Sequence, residues 1–249
     1  MVIEKQKELE LQRLECRMNR GLLMVAFGKK FDKMAAYAIK HSRRFTELPF
    51  TVLTNIKKEK RCNIWNKIEN INFIYINDIT QNNRKYKTSM INYSPYDFTI
   101  YIDADSVIQH KGIERAFKKL ENYDIMLNVY GLWVNRIPLS YYRRAMKILN
   151  VRPPVYIYYG AFIGFAKTEN ARKFFKNWKE NWIKTRLPRE MPALASTVKK
   201  MGNKLKLVKT NNTDDIFSWK VNFNAVIQHE YGAAFWKRFF GKNRDILCQ

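Results

Sequence analysis

Phe98-Thr-Ile-Tyr-Ile-Asp-Ala-Asp-Ser-Val-Ile108 is the stretch on which the reading of this chain turns. An uninterrupted, mostly apolar run ends in two carboxylates, Asp103 and Asp105, separated by one small residue, Ala104. Such a run reads as a strand covered on both faces, as in a parallel sheet. Two like charges at the end of a buried strand repel each other, and loss of water raises the cost further. A divalent cation relieves both, and carboxylate oxygens are the hard ligands that Mg²⁺ and Mn²⁺ accept. The bland alternative is one aspartate capping a turn while the other is solvated. An Asp-x-Asp on its own is common; the strand before it gives this one its meaning.

Upstream, the same pattern repeats. Gly21-Leu-Leu-Met-Val-Ala-Phe27 is a short apolar run closed by Gly28, and residues 31–45 place Met34, Ala35, Ala38 and Ile39 on one helical side. Phe50–Thr54 and Ile71–Ile76 read as further strands, and residues 82–91 as a helix ended by Ser94-Pro95. The aspartates therefore follow the fourth strand of an alternating series, which predicts a Rossmann-like α/β fold with a mostly parallel sheet flanked by helices. Ligands of such sheets bind at the carboxyl ends of the strands, where Asp103 falls. Downstream the pattern loosens, with strand-like Ile125–Tyr130 and Ala161–Phe165, helical Ala171–Thr185 and an aromatic tail.

A chain of 249 residues with 46% hydrophobic content can bury a sizeable core. No stretch approaches the run of about 20 apolar residues that crosses a bilayer. The N-terminus is charged without an apolar core of the secretory type. Cys16, Cys62 and Cys248 are far apart and read as reduced thiols, so a cytoplasmic protein is expected. Charge is the outlying property, with a formal net value of +24. Arg136, Arg143, Arg144, Lys147 and Arg152 form a stretch without an acid, and Lys167–Lys209 carries thirteen Lys and Arg against Glu169, Glu180 and Glu190. A solvated surface explains mixed charge better than a one-sided excess, so a polyanionic partner is expected.

Tyr101-Ile-Asp-Ala-Asp105, with Val107-Ile108 after it, resembles the Asp-x-Asp motif of GT-A glycosyltransferases, most closely family 8 and its relatives. The resemblance implies a nucleotide-sugar donor such as UDP-glucose, with Mn²⁺ or Mg²⁺ held by Asp103 and Asp105 against its diphosphate and Ala104 among the donor-binding residues. It also implies a cation facing the donor, for which Lys87 is the candidate. Family 8 enzymes carry a further metal ligand in a His-x-x-Gly-x-x-Lys-Pro-Trp motif. Here His229 and Gly232 match in place, while Phe235 stands where the lysine should be and Lys237 follows two residues later. His229 is accordingly the third candidate ligand, and Gly232 and Lys237 are candidate donor contacts. Tyr158-Tyr-Gly-Ala-Phe-Ile-Gly-Phe165 resembles the strand that lines the donor sugar, with Gly160 allowing close backbone approach. Arg189-Glu-Met-Pro-Ala-Leu194 resembles the family's acidic segment, which makes Glu190, with Asp105, the catalytic candidate. By position in the fold, Ala26, Phe27 and Asn55 are candidates for the uracil site.

The implied organisation is a single GT-A domain, 1–249: a leading helix over 1–20, a nucleotide-sugar-binding half over 21–110 and an acceptor-side extension over 111–249. The implied reaction is transfer of a sugar with retention onto an acceptor hydroxyl. The charge suits DNA as that acceptor, through a hydroxymethylated or already glycosylated base of the kind that some bacteriophages modify. A lipopolysaccharide or lipid-linked glycan at an anionic membrane surface is the second reading, with Phe235, Trp236, Phe239 and Phe240 as peripheral contacts. A non-catalytic nucleic-acid-binding protein that keeps the fold is the third.

Overall fold

The computed structural model describes residues 20–80, 82–134, 140–211, 215–218, 222 and 224–229. The leading segment 1–19 and the aromatic tail from residue 230, with Gly232 and Lys237, lie outside the described residues.

The apolar runs become strands as expected: β1 (Arg20–Val25), β2 (Phe50–Thr54), β3 (Ile71–Tyr75) and β4 (Phe98–Ile102). All four run parallel, β1 lying between β2 and β4 and β3 beyond β2. Helix α1 (Lys29–Ser42) covers one face with Met34, Ala35, Ala38 and Ile39, the stripe that helical spacing predicts. The helix expected over 82–91 is shorter. It forms α2 (Asn83–Lys87) and yields to a 3₁₀ turn at Met90–Asn92.

Two long strands complete the large sheet, β6 (Ile125–Trp133) and β7 (Val155–Ala166), with β8 (Leu207–Thr210) at the edge. The order is β3-β2-β1-β4-β7-β6-β8. Strand β7 runs antiparallel to both β4 and β6, an exception in a mostly parallel sheet. Helices α4 (Ser140–Ile148), α5 (Glu169–Thr185) and α6 (Met191–Met201) pack together against the second face. Helix α3 (Glu114–Leu120) joins α1 on the first. Each sheet face thus has its own apolar layer, and strands between two such layers need no polar alternation.

A second, small sheet sets the site's geometry. Strand β5 (Ser106–Ile108) begins directly after Asp105 and pairs antiparallel with β10 (Ile227–His229), beside which lies β9 (Phe217–Ser218). Ser106 stands opposite His229 in this register. Strands this short carry no readable periodicity, and nothing in the residue pattern announces them.

Candidate active site

Chain direction brings the carboxyl ends of β1 and β4 to one edge, and β7, antiparallel to β4, brings the start of its Gly160 segment there too. The Asp103 amide donates to the Ala161 carbonyl at 3.1 Å, and the Ser106 amide donates to the Asp103 carbonyl at 2.9 Å. These bonds turn the chain so that both aspartates face a cleft of about 990 Å³. That volume is at the upper end of small-molecule sites and leaves room for two substrates.

The β5–β10 pairing carries His229 to the same point. Its Nδ1 lies 3.4 Å from Asp105 Oδ1 and 3.0 Å from Ser106 Oγ. Ligand atoms of Asp103, Asp105 and His229 all fall within 4.8 Å of one another. Two carboxylates and one imidazole suit Mn²⁺ or Mg²⁺, the nitrogen being tolerated better by Mn²⁺. These three are the residues that could hold such an ion.

Electrostatics separate the two acids. Burial, reinforced by the neighbouring charge of Asp103, pushes the Asp105 carboxyl up to about 7. Burial also works to raise Asp103, but Lys87, His229 and the Tyr101 hydroxyl outweigh it and hold that carboxyl below its usual range. The Tyr101 hydroxyl and Lys87 Nζ, the latter at 2.9 Å, both donate to Asp103 Oδ1. The His229 imidazole is lowered by burial, with Lys87 adding to the effect and Asp103 opposing it.

Lys87 is a buried hub. Its ammonium lies 2.9 Å from Asp103 and 3.3 Å from Glu190, with only 7% of its side chain exposed. Arg84, on the rim, reaches Glu190 at 3.2 Å. Burial disfavours the Lys87 charge, yet the two carboxylates prevail and raise it above the ordinary lysine value. Helix α2 is anchored at several points. Asn82 caps its start by accepting from the Lys85 amide, Tyr86 and Lys85 both bond Asp78, and Asn83 accepts from the Phe27 amide at 2.8 Å. Glu190 sits at the N-cap position of α6, where its carbonyl accepts from the indole of fully buried Trp178 at 3.0 Å.

Gly160, expected to let the backbone approach the donor sugar, lines the cleft and lies against an ion pair. A Cβ there would stand 3.2 Å from Glu190 Oε1 and 3.2 Å from Lys87 Nζ, so its small size makes room for this ion pair. The other residues expected at the site divide. Ala104, Gly160, Lys87 and Glu190 line the cleft with the three candidate ligands. Ala26, Phe27 and Asn55 do not: the first two are fully buried, and Asn55 accepts from the Gly28 amide at 2.8 Å and donates to the Asp78 carbonyl at 2.9 Å. They shape the loops behind the cleft. Arg84 and Tyr101 carry no mark in the sequence, because nothing local distinguishes a residue that neutralises or bonds a carboxylate brought to it by folding. The far wall is aromatic, with Tyr130, Trp133, Tyr141, Tyr142 and Trp182, and exposed Arg186 and Arg189 edge it. The buried Tyr142 hydroxyl finds no hydrogen-bond partner among the described residues.

No protein-family model matches the sequence, and no curated protein does. Solved structures do match. A galactosyltransferase, LgtC, crystallised with donor and acceptor sugar analogs, superposes with a TM-score of 0.59 at 15% identity, over 85% of this chain and 87% of that one. Mouse xyloside xylosyltransferase 1 in its apo form gives 0.57 at 9% identity, over 86% and 98%. The fold is GT-A. The bifunctional glycosyltransferase WbbM matches at 0.56 and 10% identity, this chain spanning 45% of its length. At such identities the likeness establishes the GT-A architecture, and the chemistry rests on the cleft itself. Among the described residues, no helix is long and apolar enough to cross a membrane.

Proposed function

We propose that this chain is a metal-dependent glycosyltransferase that uses a nucleotide-sugar donor. The observation that carries the reading is the convergence of Asp103, Asp105 and His229, from two distant parts of the chain, at the carboxyl edge of a GT-A sheet. Asp103, Asp105 and His229 would hold Mn²⁺ or Mg²⁺, which when bound supplies charge neutralisation to a departing diphosphate. Lys87 adds a fixed positive charge beside Asp103, and its burial strengthens that field relative to water. Glu190, drawn into the cleft by Lys87 and Arg84, offers a carboxylate to the oxocarbenium-like sugar as the bond to the diphosphate breaks. The aromatic wall shields that centre from water and receives the acceptor. We take the donor to be a UDP-sugar, with UDP-glucose the first choice and retention the stereochemical outcome, and the acceptor hydroxyl to belong to a modified base in DNA.

Nucleotide release tests the reading. Purified protein is incubated with UDP-glucose and other nucleotide sugars in Mn²⁺, with and without hydroxymethylated DNA, beside an Asp103→Asn control. Donor hydrolysis by the wild type, reduced at least about a hundredfold in the control, is expected, since one such electrostatic contact is worth about 2.7–4 kcal/mol. Equal and background-level release from both would overturn it.

A further inference from the structure

Charge in this molecule is segregated. Between residues 140 and 211 seventeen Lys and Arg stand against three carboxylates. One of those three, Glu190, is buried in the cleft. The apolar sides of α4, α5 and α6 face the sheet, so their cations crowd onto the outer face. Lys173 is paired with Glu169 at 2.6 Å, whereas Lys176, Lys199, Lys200 and Lys204 are exposed and have no carboxylate partner among the described residues. Unneutralised like charges gathered on one face cost stability, and a polyanion is what relieves them.

The cations also gather at the two ends of one helical hairpin. Helices α5 and α6 are joined by the short turn of residues 186–190 and pack side by side as an antiparallel hairpin. At the far end of the hairpin, Lys173, Lys176, Lys200 and Lys204 outnumber the one carboxylate, Glu180, around one groove, and a second groove shares Lys200 and adds Lys199 and Arg152. At the near end, Arg186 and Arg189 sit in the turn and border the cleft that holds Asp103 and Asp105. Helix α5 has 17 residues. At 1.5 Å of rise for each, the hairpin is about 25 Å long, which matches roughly seven nucleotides at 3.4 Å apiece.

We propose that the α5–α6 hairpin is a nucleic-acid track that leads the acceptor to the cleft. As an account of the acceptor it rests on the glycosyltransferase reading, though the binding itself requires no turnover. Nucleic acid is favoured over an anionic bilayer by the shape and polarity of the face. The far-end groove is lined by four lysines, the amides of Asn170 and Asn177, the thioether of Met201 and a single carboxylate, Glu180. Ile183 is the one large apolar side chain exposed on α4–α6 among the described residues, so the face lacks the apolar wedge by which interfacial helices enter a headgroup layer. Phosphates on the lysines and a terminal base against the aromatic wall would use both ends of the track.

The test is fluorescence anisotropy of labelled single-stranded and duplex oligonucleotides across a salt series, with phosphatidylserine vesicles as a parallel arm. A variant carrying Lys173→Glu, Lys176→Glu, Lys200→Glu and Lys204→Glu is compared with one of similar charge change elsewhere, Lys57→Glu, Lys58→Glu, Lys60→Glu and Lys67→Glu. Circular dichroism verifies that both are folded. The expected result is a loss of affinity of at least about tenfold in the hairpin variant, a fall of roughly 3 in its logarithmic salt slope, and a much smaller change in the control. Donor hydrolysis without acceptor should be the same in all three proteins. Equal losses in both variants, or binding to vesicles without binding to oligonucleotides, would overturn the track. Loss of donor hydrolysis in the wild type would instead overturn the reading of the cleft and leave the binding result standing.

Discussion

At Asp105 two effects add. Burial and the charge of Asp103 both favour the protonated acid, and they bring its carboxyl to about 7. A free aspartate titrates near 4, so between about pH 4 and pH 7 the folded, metal-free protein holds a proton there that the unfolded chain does not. Stability of the metal-free protein should therefore fall as pH rises through that window, and Asp105→Asn should remove this slope. A cation must displace the same proton in order to bind. The rise in Tm that Mn²⁺ produces should accordingly grow between about pH 6 and pH 8 in the wild type, and be absent from Asp105→Asn. Thermal unfolding with and without Mn²⁺ at three pH values measures both effects. The two aspartates are legible in the sequence because their chemistry is local: two acids at the end of an apolar strand. Tyr101, which bonds Asp103, Ser106, which bonds the His229 ring, and Arg84, which pairs with Glu190, are not. Their roles depend on what folding places opposite them.

Among the elements, the mid-strand position of β7 at Gly160 is the one that bears directly on the cleft. A Cβ at that position would stand 3.2 Å from both Glu190 Oε1 and Lys87 Nζ, so the pair would have to give by a few tenths of an ångström. Gly160→Ala should push the pair apart, at a cost of about 1–3 kcal/mol as for other small-to-large changes in packed sites. With donor at saturation, kcat for nucleotide release should fall at least about tenfold while Mn²⁺ binding, followed by the thermal shift, is largely kept. Equal loss of metal binding would show that the glycine serves the metal ligands and not the ion pair. Strands β1, β2 and β4 can be read from sequence because apolar layers on both faces leave mostly apolar runs, and half-exposed β3 at the edge still shows Ile71, Phe73 and Ile74. The reversal of β7 cannot, since a hydrophobic pattern carries no direction. The third candidate ligand, His229, is found only through its resemblance to a motif; the three-residue ladder that delivers it has no signature of its own.

Across the whole molecule, the division between a cleft shaped by α2, β4 and β7 and a cationic face built on α4, α5 and α6 predicts a division in salt response. On the proposed reading, donor chemistry would depend on buried, short-range pairs that counterions reach poorly. Capture of the proposed polyanionic acceptor would depend on exposed charge, which salt screens. Raising ionic strength from about 0.05 M to about 0.2 M should increase the acceptor KM at least about tenfold and change donor hydrolysis by less than about twofold. A steady-state titration at both salt concentrations distinguishes the two. This asymmetry is visible in the sequence as a run of cations, whereas its alignment with the cleft mouth comes only from the turn that sets Arg186 and Arg189 at the end of the hairpin.

The ladder between β5 and β10 has a mechanical meaning as well. It joins Ser106 to His229, 123 residues further along the chain, through only three residue pairs. An ion gripped by Asp105 on one side and His229 on the other would fasten that clasp from its open end. Bound only when the clasp is shut, at a hundredfold excess over its Kd it would favour the shut form by about 2.7 kcal/mol. Deuterium uptake at residues 227–229 should therefore slow when Mn²⁺ is added and quicken with chelator, while β1 exchanges at an unchanged rate. The breathing of one short ribbon would then serve as a gauge of how full the donor site is.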